Sequence, residues 1–243
     1  MLTWTPETIA FRADAARFVG FDEALAERIA ALLPHGASVC EAGCGLGFLS
    51  LALARHGFRM TALDSDPLAV DFARRSAARA ENPEILCCDA FSYLETHDHD
   101  ALLLCFFGQA EEILHLEKTH RNATLIVIKK DAERHRFAPG ENVSGHGTLS
   151  RLRERRKSGQ LICTEQRFTL QMGQPFRSET DALRFFRRYG SRADEAALLA
   201  LLAPTDSREF PLFYSADTSL SLFLFPAGRT GEMEIHSDME EKT

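Results

Sequence analysis

Val39-Cys40-Glu41-Ala42-Gly43-Cys44-Gly45-Leu46-Gly47 leaves a short strand-like run (Ser38–Glu41) and enters the apolar helical stretch Phe48–Arg55, which Gly57 ends. A strand that turns into a helix through alternating glycines marks the carboxyl edge of an α/β sheet, where such sheets bind ligands. Glycine permits the sharp turn and lets a ligand reach main-chain N–H groups with no Cβ in the way. The plain alternative is a tight strand–helix turn with no ligand, to which three alternating glycines are poorly suited. A dinucleotide fingerprint requires G-x-G-x-x-G, but the residue three after Gly45 is Phe48, and the spacing here is G-x-G-x-G. Glu41, two residues before the first glycine, would oppose a pyrophosphate and favour an ammonium. The pattern therefore points to a ligand with a cationic head.

Working outward, Arg59–Asp64 reads as a second strand, and Asp66-Pro67 opens a helix with Asp66 as N-cap and Pro67 at the first helical position. Strands at Ile85–Cys88, Ala101–Phe107 and Ala123–Ile128 follow, with a helix over Gln109–His120. Strands alternating with helices at these intervals predict parallel crossovers and a doubly wound α/β sheet with helices on both faces. Asp64 ends the second strand and Asp89 follows the third. A carboxylate in the first place can accept from both hydroxyls of a ribose, and one in the second from an adenine amine. Each acid also has an ordinary reading as a helix N-cap or strand terminus.

Upstream, Pro6–Leu33 carries apolar residues at helical spacing and is predicted to form one or two capping helices, closed by Pro34 and Gly36. Beyond Lys130 the alternation breaks. Residues 131–148 read as a long polar loop, Leu149–Lys157 as a short basic stretch, and Gln160–Met172, Phe210–Tyr214 and Ser219–Phe225 as strands. Helices are expected from Ser178 to Gly190 and over about Asp194–Leu202. The expected organisation is a helical cap (1–35), a ligand-binding core (36–130), the last strands with a pocket-forming insertion (131–226) and a disordered acidic tail (227–243).

Composition narrows the class further. The 243 residues are 45% hydrophobic and 26% charged, the balance of a globular protein that needs no staple to fold. Lys and Arg number 28 against 35 Asp and Glu, a net charge of −7, which argues against non-specific phosphate binding but leaves room for a local basic groove. The six cysteines lack zinc-ligand spacing, and no His–carboxylate cluster stands out, so no metal is expected. Cys40, Cys87, Cys88 and Cys105 fall in apolar runs and read as buried free thiols. No signal peptide and no spanning run of ~20 apolar residues is present, so the expected location is the cytoplasm, without membrane attachment.

The series Glu41-x-Gly43-x-Gly45-x-Gly47, then Asp64, then Asp89 resembles the motif series of class I S-adenosylmethionine-dependent methyltransferases, over about residues 36–130. The resemblance implies a Rossmann-like fold of seven strands, mostly parallel, with Gln160–Met172 and Ser219–Phe225 in an antiparallel final pair. It also implies S-adenosyl-L-methionine as the methyl donor. Gly43, Gly45 and Gly47 would pack on its methionine part, Glu41 would neighbour the amino group, Asp64 would take the ribose diol, and Asp89 the adenine amine. Ser65 and Ala90 would flank the adenosine, with Phe91 as adenine neighbour and Phe106 as a further donor contact.

The acceptor is less legible. Leu104-Cys105-Phe106-Phe107-Gly108 stands where enzymes that methylate a base amine often carry Asp/Asn-Pro-Pro-aromatic, and it offers no amide or carboxylate. Phe106 and Phe107 are either a wall for donor or acceptor, or core residues. His146, between Gly145 and Gly147, is the candidate general base, with a surface histidine as the plain alternative. His115 and His120 are weaker candidates. The run Arg151, Arg153, Arg155, Arg156, Lys157 is either a solvated helix face or a contact for RNA, and Lys129 and Lys130 would meet an anionic acceptor. The segment Gly173–Gly190 is a lid or packing. The expected function is methyl transfer to a small molecule. The alternatives are an RNA or protein methyltransferase, and a non-catalytic nucleoside-binding protein; the oligomeric state is left open.

Overall fold

The computed structural model describes residues 4–77, 83–131, 137–138 and 147–228. His146 and the acidic tail beyond Gly228 lie outside them, as does most of the polar loop after Lys130. Two helices, α1 (Pro6–Val19) and α2 (Phe21–Ala30), precede the sheet. The alternation then runs β1 (Ser38–Ala42), α3 (Phe48–Arg55), β2 (Arg59–Asp64), α4 (Pro67–Ala77), β3 (Glu84–Cys87), α5 (Ala90–Leu94), β4 (Ala101–Cys105), α6 (Ala110–Thr119) and β5 (Thr124–Lys130). The remainder is α7 (Gly147–Lys157), β6 (Thr164–Gln171), β7 (Gln174–Phe176), α8 (Glu179–Arg188), α9 (Glu195–Leu199), β8 (Leu202–Pro204), β9 (Leu212–Tyr214) and β10 (Asp217–Phe225).

Seven strands form one sheet in the order β3-β2-β1-β4-β5-β10-β6, parallel except for β10, which runs antiparallel to both β5 and β6. This is the predicted Rossmann-like architecture. The central strands are apolar on both faces because both are covered. Alternate residues divide between two cores. Leu103, Ile126 and Ile128 pack with Leu25 and Ile29 of α2 and Leu53 of α3. Leu102, Leu104, Leu125 and Val127 pack with Ile113 of α6 and Leu152 of α7. Strand order reverses between β1 and β4, so the ligand crevice of an open α/β sheet opens at their carboxyl ends.

Residues between β6 and β10 form a second, three-stranded antiparallel sheet, β7-β9-β8, with α8 and α9 beside it. Phe176, Phe185, Phe186 and Leu198 of this insertion share a core with Phe11 of α1. Gln174 Nε2 donates to Phe11 O at 3.0 Å, and Asp14 pairs with Arg17 and Arg177. The N-terminal cap and the insertion thus pack as one unit, which accounts for most of the Gly173–Gly190 aromatics as core.

Several sequence expectations shift. The fourth strand stops at Cys105, not Phe107, because Phe106 turns out of the sheet with φ +58°. The second insertion helix ends at Leu199, short of Leu202, which starts β8. Cys87 is exposed and Cys88 half-buried, against the buried reading, because β3 is the edge strand and its end reaches solvent. Cys40 is buried as expected, with burial raising its thiol to about 12. No described helix is long and apolar enough to cross a membrane.

Candidate donor-binding site

The glycine loop fills the switch-point crevice. Gly43, Gly45 and Gly47 all take left-handed φ, at +72°, +56° and +74°. The loop is tied to the end of β2: Gly43 N and Cys44 N donate to Leu63 O at 2.8 and 2.9 Å, and Gly45 N donates to Asp64 Oδ2 at 2.7 Å. The other oxygen of Asp64 accepts from Asp66 N at 2.9 Å. A strand-end carboxylate thereby sets both the glycine loop and the turn into α4. Asp66 caps α4 as predicted, accepting from Leu68 N at 2.9 Å.

Glu41 is 3% exposed, and its carboxylate accepts from the Ser50 hydroxyl. Burial pushes its carboxyl up to about 8, the Ser50 hydrogen bond opposes this, and the nearby Asp22 carboxylate adds to it. Asp22, from the first turn of α2, is 7% exposed; its Oδ1 pairs with Arg12 at 2.5 Å, and its Oδ2 is buried without a hydrogen-bond partner. A buried unpaired carboxylate oxygen beside a second buried acid carries a desolvation cost of order 1–3 kcal/mol or more. Such a pair is suited to a cationic or N–H-donating group. An acid in a helix's first turn normally reads as a dipole partner, so no sequence signal singled out Asp22.

Asp89 is exposed and N-caps α5, accepting from Ser92 N at 2.8 Å; these bonds hold its carboxyl below the usual range. Cys88 N donates to Asp64 O at 3.1 Å, so the ends of β2 and β3, with Ser65, Asp89, Ala90 and Phe91, form one rim. Phe91 stacks on Phe107 (5.6 Å between centroids, 17° between planes), and Phe107 lies over Gly43. Phe106 faces the other way, stacked on Phe21 of α2 at 6.2 Å with the Lys130 ammonium 4.9 Å above its ring.

Phe106 is the single described non-glycine residue with positive φ, a conformation that costs about 1–2 kcal/mol for an L-residue. The neighbouring contacts hold it. Phe106 N donates to Ile128 O at 2.9 Å, and Lys129 Nζ donates to the carbonyls of Phe107 and Gly108 at 2.5 and 2.6 Å. Burial pulls the Lys129 ammonium down to about 8. Lys129 is thus spent on the backbone after β4 and Lys130 on a ring, where the sequence reading had them meeting an anionic acceptor.

The space over Gly43 yields a direct prediction. A Cβ there would stand 2.2 Å from the Phe107 ring, at a left-handed φ. Gly43→Ala is expected to cost about 1–2 kcal/mol in backbone strain alone and to push Phe107 off the loop. Thermal unfolding of the variant checks this; an unchanged midpoint would mean that the loop is not held as described.

Residues 39–135 match the family model described as a methyltransferase domain. The chain is 48% identical over 52 residues to the S-adenosyl-L-methionine-dependent Diels-Alderase iccD of Talaromyces variabilis, covering 21% of this chain and 18% of that protein. It is 36% identical over 89 residues to the release factor glutamine methyltransferase of Shewanella oneidensis, covering 34% and 31%. The matched stretches thus span about a fifth to a third of these curated relatives. Among solved structures, the YcgJ protein of Bacillus subtilis superposes over 84% of this chain and 98% of its own with a TM-score of 0.52 at 13% identity, a likeness of fold.

Away from this crevice, a cleft of about 680 Å³ lies between α5 and α6, sharing Phe91 with the donor rim and lined otherwise by residues such as His97, Glu111 and His115. Among the described residues no group of three or more His, Cys, Asp or Glu is placed to hold a metal ion.

Proposed function

We propose that this protein transfers a methyl group from S-adenosyl-L-methionine to a small-molecule acceptor. The observation that carries the donor reading is the left-handed glycine loop clamped by Asp64 beside the buried acids Glu41 and Asp22. These residues fit the group. The left-handed glycines turn the loop tightly at the crevice, and the orphaned Asp22 oxygen suits a positively charged end. In this reading Gly43, Gly45 and Gly47 pack on the methionine part and Glu41 faces its ammonium. Asp64 takes the ribose hydroxyls on its remaining lone pairs. Asp89 uses the oxygen left free by its cap for the adenine amine, with Ser65, Ala90 and Phe91 around the adenosine and Phe106 on the α2 side. Phe107 joins them over Gly43.

The bound donor supplies a methyl group already activated as a sulfonium. What this chain contributes is orientation of the two reactants and exclusion of water, which can account for much of the acceleration of a displacement. The segment after β4, Phe106-Phe107-Gly108, carries no carboxylate or amide, which favours an apolar acceptor over a base amine.

One observation supports a small acceptor over RNA. Three of the five bases on α7 are already paired: Arg153 with Asp131 and Glu165, Arg156 with Glu165, whose side chain is 5% exposed, and Arg151 with Glu111 at the surface. A phosphate-binding surface needs those charges free. The six free cysteines accord with a reducing compartment, the cytoplasm.

The test is thermal. S-adenosylmethionine and S-adenosylhomocysteine are expected to raise the melting temperature, since a ligand that binds the native state alone stabilises it by about 2.7 kcal/mol at a hundredfold excess over Kd. Nicotinamide dinucleotides are expected to leave it unchanged. A shift with the dinucleotide and none with the S-adenosyl compounds would reject the reading.

A further inference from the structure

Trp4 is the one tryptophan of the chain and stands directly before α1. Its place is set by a closed helix end. Thr5 N donates to Thr8 Oγ1 at 2.8 Å, Thr8 N donates back to Thr5 Oγ1 at 3.2 Å, and Pro6 follows at the first helical position. Farther along, α1 is fixed by Phe11 in the insertion's core and by Asp14 with Arg177. From this anchored end the indole reaches the glycine loop: a Cβ on Gly45 would lie 3.1 Å from Trp4 Cζ2 and 3.9 Å from Nε1. The half-buried ring therefore lies against Gly45 as Phe107 lies against Gly43. Two glycines of one loop are each covered by an aromatic ring, one from the N-terminus and one from the end of β4. An aromatic face attracts cations and offers a large, rigid apolar contact at little cost in conformational entropy.

We propose that Trp4 is a contact residue of the donor site, its indole forming the wall on the Gly45 side for the S-adenosyl ligand. This rests on the donor reading above. It adds a residue outside the matched domain, 35 positions before its first residue, and makes the N-terminal cap part of the binding site.

The full chain is titrated with S-adenosylhomocysteine, following tryptophan emission and heat in parallel. The wild type is expected to show a saturable emission change with the calorimetric midpoint. Trp4→Ala is expected to bind about 10-fold more weakly, and Trp4→Phe within about 3-fold of wild type, in keeping with the size of an aromatic contact. Calorimetric binding with unchanged emission would overturn the proposal and leave the donor reading intact. So would Trp4→Ala binding as well as the wild type or better, the latter meaning that the ring obstructs the site. No heat and no thermal shift in the wild type would overturn the donor reading and this proposal together. Should Trp4→Ala fail to fold, the wild-type emission and Trp4→Phe still decide between these outcomes.

Discussion

Asp64→Ala is expected to weaken S-adenosylhomocysteine binding by about 30- to 1,000-fold, or roughly 2–4 kcal/mol, in calorimetric titration. The estimate comes from two charge-assisted hydrogen bonds to ribose hydroxyls, each contributing about 1.5–3 kcal/mol with incomplete additivity. The structure adds a second cost. On sequence grounds a strand-terminal carboxylate is dispensable to the fold, yet Asp64 holds Gly45 N at 2.7 Å and Asp66 N at 2.9 Å. Removing it leaves two loop N–H groups without their partner, so the unliganded variant should lose about 1–3 kcal/mol of stability as well. Asp64→Asn keeps one accepting oxygen and should fall between. Asp66→Ala is the control: it loses the α4 cap, about 1 kcal/mol of stability, and little affinity. Unchanged affinity in Asp64→Ala with a large loss in Asp66→Ala would put the ribose on the other carboxylate.

Glu41→Gln should move stability and binding in opposite directions. The folded-state carboxyl titrates at about 8, raised chiefly by burial, against an ordinary value near 4.5. The folded protein therefore holds a proton that the unfolded chain releases, and this contribution to wild-type stability is lost as pH rises from about 4.5 through about 8. Gln keeps the shape and the contact with Ser50 without the charge. At pH 9 it should be roughly 2–4 kcal/mol more stable than wild type, and near pH 4 little different. Donor binding should respond the other way. Ionised Glu41 attracts an ammonium, so wild-type affinity is expected to rise through pH 8, and the variant should lose that rise. Lys129 also titrates at about 8, but it is common to both proteins and cancels in the difference. Denaturant unfolding and calorimetry between pH 5 and 9 check both arms. A stability difference that does not change with pH would mean that Glu41 is not buried and proton-linked as described.

The contrast between these carboxylates shows where local pattern stops. Glu41, Asp64 and Asp89 were legible because each stands at a strand's carboxyl end, a position that spacing alone assigns. So were the strand order's crossovers, since a parallel sheet covered on both faces demands near-continuous apolar strands separated by amphipathic helices. What each acid does was not legible. Spacing cannot say that Asp64 also clamps Gly45, nor that Asp89 spends one oxygen on Ser92. Cys87 misled for a related reason: an apolar run looks the same in an edge strand as in a central one, and solvent reaches only the edge.

From its own order of residues, then, this chain determined the alternation of strands and helices, the glycine turn and the caps at Asp66 and Ser178, all set by neighbours within a few positions. Contacts between distant segments came from tertiary structure alone. It laid Trp4 on Gly45 and Phe107 on Gly43, set Asp22 beside Glu41, and paired Arg151, Arg153 and Arg156 of α7 with Glu111, Asp131 and Glu165. Each of these depends on how layers stack across the β1/β4 crevice and at the sheet's far edge, and stacking has no signature in local periodicity. The glycine turn is encoded where it stands; the groups packed around it converge only when the chain folds.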